Sequence, residues 1–155
     1  TRTPRTDSHL VLNTDWAPTF AALAGAAHPK VEGRSFLPLV KGGAVTPPWR
    51  TWFLLEHWDG SPPALAPTYC GIRSTRYLYV RYGTGEQELY DQRRDPYDLT
   101  NVAADPAYAG DAEALRGCLA EIMDTVSRLL ERVRRGELGR PPDGPGGEPA
   151  RLGWL

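Results

Sequence analysis

The first hydrophobic pattern along the chain lies at positions 10–25 and predicts a short helix. Its apolar residues recur at helical spacing: Leu12, Trp16, Phe20 and Leu23. Asp15 is placed to cap the helix, Pro18 fits its first turn, and Gly25 supplies a left-handed residue to end it. We expect a helix of about 8–10 residues with one apolar face. A loop with a helical turn at 36–40 should follow.

Four segments with the composition of β-strands come next. They are rich in aromatic and β-branched residues and cover positions 51–57, 69–74, 77–82 and 88–91. Short connections favour antiparallel pairing, so the pattern predicts a meander of three or four strands. Asp95-Pro96 should end the sheet, because a proline cannot donate to a strand ladder.

A long amphipathic helix is predicted after the strands, with Asp111 as its cap and an end near Gly136. Its apolar positions follow a period of 3.6 residues: Leu115, Leu119, Ile122, Met123, Val126, Leu129, Leu130 and Val133. One face of this helix should cover the sheet. The predicted fold class is therefore α+β: a small antiparallel sheet of three to four strands packed by one long C-terminal helix, preceded by a short helix and loops.

Composition and charge narrow the possible partners of the chain. The 155 residues carry a net charge of −1, and arginines alternate with acidic residues, so neither nucleic acid nor a membrane is an expected partner. No apolar run approaches the roughly 18–20 residues needed to span a bilayer. The polar N-terminus lacks a starting Met and an apolar signal core, which favours a piece of a larger protein.

Few residues suit catalysis or metal binding. Cys70 and Cys118 are too few for a zinc site, and they are expected to be buried free thiols or, alternatively, a disulfide. A cluster of carboxylates at Asp91, Asp95 and Asp98 lacks the calcium-loop pattern and suits turns and caps instead. No Gly-x-Ser-x-Gly motif or phosphate loop is present. We predict no catalytic residue and no metal ligand within the chain.

His57 is the histidine most suited to a functional site among His9, His28 and His57. It ends an apolar strand and precedes a loop, which is a common place for binding residues. Its imidazole could donate to an anionic or hydroxylated substrate, or it could be a structural histidine bonded to a nearby carbonyl. A second candidate set contains Arg73, Arg76, Arg93 and Arg94. These arginines could bind an anion, or they could form ion pairs with the neighbouring carboxylates.

The order of several motifs resembles the C-terminal region of sulfatases. The stretches are VLNTDWAPTF at 11–20, GRSFLPL at 33–39, WR at 49–50, GIRSTRYLYVRY at 71–82 and ELYDQRRDPYDLTN at 88–101. The similarity covers roughly residues 8–120 and is strongest to sulfatases of N-acetylglucosamine-6-sulfate and related sugars. It implies an enzyme of the alkaline-phosphatase-like superfamily, with calcium and a formylglycine in the full-length protein. It also implies export from the cytoplasm, and a C-terminal subdomain of the predicted kind.

The resemblance assigns parts to the chain and a role to one loop. Residues 1–50 would be the end of the catalytic domain and a connector, 51–136 the sheet-plus-helix subdomain, and 137–155 a flexible tail rich in Pro and Gly. The formylglycine motif Cys/Ser-x-Pro/Ala-x-Arg is absent, since Ser61-Pro-Pro-Ala-Leu65 fails at the arginine. The metal ligands of the family belong upstream. Only a wall of the substrate pocket carries over, onto His57, Trp58 and Asp59.

Two functions are therefore expected. In the first, the chain is the C-terminal portion of a secreted sulfatase of sulfated sugars. It is inactive without its N-terminal domain, and it exposes the apolar face of residues 10–40. In the second, it is a non-catalytic module that binds sulfated glycans or a partner protein.

Overall fold

The computed structural model describes residues 4, 6–27, 31–43, 45, 47–58 and 67–137. The chain divides into two compact units, Thr1–Phe53 and Leu54–Leu155. Within the described residues, no helix is both long enough and apolar enough to cross a membrane.

The first unit contains two short helices. A 3-10 turn, Asn13–Asp15, leads into α1, Trp16–Ala24, and Gly25 ends α1 in the left-handed conformation at φ 64°. This confirms the predicted helix and its glycine stop. The expected helical turn at 36–40 is α2, Leu37–Lys41.

The burial of α1 is the reverse of an ordinary amphipathic helix. Its completely or nearly buried positions are Pro18 and Thr19, whereas Trp16, Phe20 and Leu23 are 50%, 58% and 61% exposed. Thr19 stays satisfied because its hydroxyl donates to the Asp15 carbonyl and accepts from the Phe36 N–H. The apolar face expected from the spacing is therefore present and exposed.

Asp15 occupies the N-cap position of α1 as predicted, but it lacks the side-chain capping bond expected there. Its carboxylate makes no capping bond to the helix. It accepts instead from the Leu12 N–H at 2.9 Å, from the Arg34 N–H at 2.8 Å and from the Arg50 guanidinium. A long-range charged partner therefore takes the carboxylate away from the helix end.

A four-stranded sheet begins with β1, Trp52–His57, and continues with β2, Tyr69–Ser74, β3, Tyr77–Tyr82, and β4, Gln87–Asp91. The strand order is β1-β2-β3-β4, with β2–β3 and β3–β4 antiparallel. The predicted meander is confirmed, and the boundaries of β2 and β3 agree with the sequence prediction.

One face of the sheet packs against α3, Ala109–Arg134. The buried cluster between them is made of Cys70, Ile72, Tyr77, Tyr79, Leu89, Tyr108, Ala112 and Leu119. Because side chains alternate along a strand, the residues between these positions lie on the opposite face of the sheet. Gly71 has no room for a side chain, since an added Cβ would lie 2.5 Å from the Tyr79 carbonyl oxygen.

Two further expectations about this unit need correction. Asp111 lies in the first turn of α3 but does not cap it, because its carboxylate accepts from the Tyr77 hydroxyl at 2.6 Å. The cysteines are both free, yet Cys118 is exposed on α3 while Cys70 is buried. Neither a pair of buried thiols nor a disulfide is present, because Cys118 lies on the solvent side of the helix.

Candidate functional site

His57 is the last residue of β1, and its half-buried imidazole stacks on the ring of Tyr69. The ring centroids are 5.3 Å apart and the planes meet at 23°. In the part of the chain that the structure describes, no hydrogen bond to a carbonyl holds this imidazole. Trp58 follows directly and is 38% exposed, and Asp59 lies outside the described residues.

Strand topology brings a third ring into the same group. Tyr69 begins β2 and pairs with Tyr82, which ends β3, so both lie at the end of the sheet where β1 finishes. Their rings meet edge to face, with centroids 5.6 Å apart. We call His57, Tyr69 and Tyr82 the ring stack. All three lie on the sheet face opposite α3.

Glu88 adds a carboxylate to this sheet face. Burial, together with the charge and hydrogen bonding of Glu88, raises the pKa of the Tyr82 hydroxyl. Burial and the same carboxylate raise the pKa of Tyr90 to about 12. Both tyrosines therefore stay protonated at neutral pH and can serve as neutral donors.

The side chains of this group can bind polar and sugar-like ligands. An imidazole can hydrogen bond to a hydroxyl or a sulfate oxygen, and aromatic faces can pack against the apolar face of a sugar ring. Sequence reasoning proposes His57 from its strand-end position, and His57 remains a candidate. It missed Tyr69 and Tyr82 as candidates, because their neighbourhood depends on the strand register.

A buried polar cluster in the first unit explains the motifs around Asp15. The Asp15 side chain is fully buried, and both of its oxygens bind the Arg50 guanidinium, Oδ1 at 2.8 Å from Nη2. Burial alone would raise the pKa of Asp15, but the bonds from Arg50, Leu12 and Arg34 outweigh burial and lower it. The carboxylate is therefore held ionised.

Trp49 lies between two guanidinium groups in the same cluster. Arg34 and Arg50 approach its ring to 4.7 and 5.0 Å from the centroid, and the indole N–H donates to the Leu10 carbonyl at 2.7 Å. Arg34 also donates to the carbonyls of Pro47 and Pro48. This arrangement is structural, since every charged group in it is bonded within the unit.

Two arginines of the candidate set, Arg76 and Arg94, bond to side chains within the second unit. Arg76 binds the buried Asp91 carboxylate at 2.8 Å, and this bond lowers the pKa of Asp91. Arg94 donates to the Tyr108 hydroxyl at 3.2 Å. The ion-pair interpretation therefore holds for Arg76, and Arg94 is likewise engaged. Arg73 lies close enough to Asp98 to lower its pKa, although burial raises that pKa overall.

The remaining histidine that the structure describes lies in the first unit. His9 Nδ1 is 2.6 Å from the Asp7 carboxylate, and both side chains are substantially exposed. Among the described residues there is no group of three or more His, Cys, Asp or Glu that could hold a metal ion. The formylglycine motif is absent from the sequence.

Comparison with known proteins identifies the family. Residues 2–125 match the family described as N-sulphoglucosamine sulphohydrolase, C-terminal. The chain belongs to this family. The match covers the motifs, the sheet and more than half of α3. The fold of this sulfatase C-terminal domain is the predicted α+β arrangement.

Several of the curated relatives are sulfatases. The domain is 28% identical over 120 residues to an N-acetylglucosamine-6-O-sulfatase of Bacteroides thetaiotaomicron, covering 75% of this chain and 22% of that protein. It is 34% identical over 98 residues to a choline-sulfatase of Rhizobium meliloti, covering 61% of this chain and 18% of that protein. The sulfatase C-terminal domain thus spans about a fifth of the length of these relatives.

The chain is also similar to several solved structures, which include sulfatases and a phosphonate monoester hydrolase. One is a protein in complex with its substrate D-glucosamine-2-N,6-O-disulfate, with a TM-score of 0.59, 25% identity and coverage of 71% of this chain and 23% of that chain. Another is a 2-O glycosaminoglycan sulfatase, with a TM-score of 0.56, 28% identity and coverage of 81% and 26%.

Proposed function

We propose that this chain is the C-terminal portion of a sulfatase that hydrolyses sulfate esters of sugars. In this proposal it supports a catalytic domain and contributes one wall of the substrate pocket. The observation that carries the proposal is the family match over residues 2–125. Sugar sulfates are favoured because relatives include an N-acetylglucosamine-6-O-sulfatase and a hexuronate-2-O-sulfatase.

The proposed pocket wall is formed by His57, Trp58 and Asp59. His57 would donate a hydrogen bond to a sugar hydroxyl or a sulfate oxygen, with its ring held at the end of the sheet by Tyr69. Trp58 would present an aromatic face, and Asp59 a hydrogen-bond acceptor. None of these residues attacks the sulfate. The formylglycine and the calcium ion would belong to the catalytic domain.

The exposed face of α1 supports the need for a catalytic domain. Trp16 packs beside Phe20 and edge-on to Phe36, yet Trp16, Phe20 and Leu23 remain half or more exposed. An apolar patch of this kind usually marks an interaction surface. The chain spans only about a fifth of its relatives, so we assign this surface to the catalytic domain. The complete enzyme would be exported from the cytoplasm, as the sequence resemblance implies.

Activity of the full-length protein tests the pocket role. The gene should be expressed with its upstream region and assayed on N-acetylglucosamine 6-sulfate, choline sulfate and an unsaturated hexuronate 2-sulfate. We expect turnover of a sugar sulfate. We also expect His57→Ala to lower kcat/KM by about 10- to 100-fold, the range for a hydrogen bond to a charged group. His9→Ala is the matched control and should stay near the parent rate.

Two other outcomes would contradict the proposed function. Turnover by the isolated chain would overturn the proposal. A full-length protein that binds sulfated glycans in a salt-sensitive manner without hydrolysing any sulfate ester would instead make the chain part of a binding module.

The α1 surface is tested by association. The isolated chain should bind a separately expressed catalytic domain, and the double change Phe20→Lys with Leu23→Lys should abolish that binding. The control is Tyr97→Lys with Leu99→Lys, at side chains 80% and 81% exposed in the other unit. Equal loss in both pairs would contradict the assignment of this face.

A further inference from the structure

His57 lies where the backbone gives its side chain little lateral support. It ends β1, the edge strand of the sheet, and among the described residues β2 is the strand that flanks it. Within the described residues, the contact that orients its imidazole is the stack on Tyr69. A histidine ring can otherwise rotate about two side-chain bonds. Within the part of the chain that the structure describes, the direction of its hydrogen-bonding nitrogens therefore depends on Tyr69.

Tyr69 is itself fixed from the opposite side. Its backbone pairs with Tyr82 across β2 and β3, and the two rings meet edge to face at 67°. Burial, together with the nearby Glu88 carboxylate on β4, raises the pKa of the Tyr82 hydroxyl. The ring stack itself connects the end of β1 to β2 and β3.

We infer that Tyr69 is a positioning residue that holds the His57 imidazole in the orientation needed to contact substrate. This inference rests on the proposed pocket role of His57. Tyr69 makes no contact with substrate in this arrangement and acts only through His57. The requirement is for a flat ring against the imidazole, so the phenol hydroxyl of Tyr69 is dispensable.

The stack also makes a prediction about which kinetic constant changes. An imidazole that is already held in place loses less conformational entropy when substrate binds. Removing the support from Tyr69 should therefore weaken substrate binding more than it slows the reaction. The KM for the sugar sulfate should therefore rise more than kcat falls. The expected size is about 3- to 10-fold, which corresponds to one aromatic pair.

A double-mutant cycle in the full-length enzyme tests this inference. Tyr69→Leu should raise the KM for N-acetylglucosamine 6-sulfate about 3- to 10-fold. The separate variant Tyr69→Phe should keep the parent KM, because it retains the ring. In the His57→Ala background, Tyr69→Leu should have no additional effect, because its route of action is gone. Circular dichroism and melting temperature should show that every variant is folded. Tyr97→Leu, at an exposed tyrosine, is the control for loss of a phenol ring.

The possible failures are distinguishable. If His57→Ala leaves KM unchanged, the pocket role of His57 is wrong and Tyr69 has nothing to position. If His57→Ala raises KM but Tyr69→Leu does not, the pocket role stands and the positioning role is overturned. If Tyr69→Leu has its full effect even without the imidazole, Tyr69 acts directly or through the fold, and the inference is also overturned.

Discussion

Asp15 and Arg50 are 35 positions apart and form a two-pronged ion pair in which the carboxylate is completely buried. The pair connects the start of α1 to the segment that leads into β1. The Asp15 carboxylate also accepts two backbone N–H groups, so its remaining acceptor positions are filled. A buried carboxylate with this many donors is stable only while the donors remain in place.

Arg50→Ala should therefore strongly destabilise the first unit. It removes the charged partner and leaves a buried carboxylate, for which a loss of about 3–5 kcal/mol in unfolding free energy is typical. Urea denaturation followed by tryptophan fluorescence measures this loss. The folded state lowers the pKa of Asp15, so its stabilising contribution is present above about pH 4 and is lost as the pH falls below that value. The difference between parent and variant should accordingly shrink in acid.

Arg128→Ala is the matched control for this prediction. Arg128 pairs with Asp124 on α3, but both side chains are more than 60% exposed. Its loss should change the unfolding free energy by less than about 1 kcal/mol. If the two variants lost stability equally, the Asp15–Arg50 pair would not have the importance that its burial indicates.

The close packing around Gly33 gives a second prediction, which concerns the stability of the same unit. A Cβ added at this position would lie 1.9 Å from the Thr14 carbonyl oxygen and 2.4 Å from its carbon. Gly33→Ala must therefore displace the backbone beside Asp15, at a cost of about 1–3 kcal/mol in unfolding free energy. Gly43→Ala is the control, since nothing lies within 4 Å of the added carbon. It should be neutral or slightly stabilising, by up to about 1 kcal/mol.

The strands could be predicted from the sequence because their information is local. Aromatic and β-branched residues, together with turn glycines such as Gly85, are sufficient to place β2 and β3. Helix α1 was also found by its spacing. The exposure of its apolar face was expected, but the burial of Thr19 could not be predicted, because Thr19 bonds to Phe36, 17 positions away, and Asp15 to Arg50, 35 positions away.

The same limit applies to the caps and to the candidate site. Asp111 has the sequence position of a cap, yet a tyrosine 34 positions earlier takes its carboxylate. The position of His57 at a strand end was predicted from the sequence, and its role as a site residue stays a prediction. Tyr69 and Tyr82 became candidates only through the strand register that pairs them, since the composition of the segments around them indicates only a strand.

Asn101 offers a third prediction, at the edge of the sheet. Its side-chain oxygen accepts from the N–H groups of Leu89 and Ala103, both at 3.0 Å, and its amide donates to the Gln87 carbonyl. The side chain thus takes the place of a further strand beside β4. Asn101→Ala should destabilise the second unit by about 1–3 kcal/mol, because the buried Leu89 backbone loses its partner.

Hydrogen exchange measures this effect at one site. The Leu89 amide should exchange at least about 10-fold faster in Asn101→Ala, which corresponds to about 1.4 kcal/mol. Asn101→Asp keeps both acceptor bonds and should preserve most of the protection. Unchanged exchange at Leu89 in the alanine variant would show that the strand edge does not depend on Asn101.

The raised pKa of Tyr77 predicts how the stability of the second unit changes at alkaline pH. Burial, and then its hydrogen bond to Asp111, raise the pKa of Tyr77 to about 12. A tyrosine in the unfolded chain loses its proton near pH 10, so the stabilising contribution is fully present below about pH 10. It is lost as the pH rises from about 10 to 12, at up to about 1.4 kcal/mol per pH unit. Tyr90 adds a contribution of the same sign.

Tyr77→Phe removes the ionisable hydroxyl, so a comparison with the parent isolates its pH-dependent contribution to stability. At pH 8 it should cost about 1–3 kcal/mol, because Asp111 loses the hydroxyl that donates to it at 2.6 Å. Between pH 10 and about 12 the variant should lose stability less steeply than the parent, so the two curves converge. Denaturation curves recorded at intervals across this range measure the slopes. Tyr97→Phe, at an 80% exposed side chain, should follow the parent curve. Parallel curves for Tyr77→Phe and the parent would mean that Tyr77 ionises no later in the folded state than in the unfolded chain.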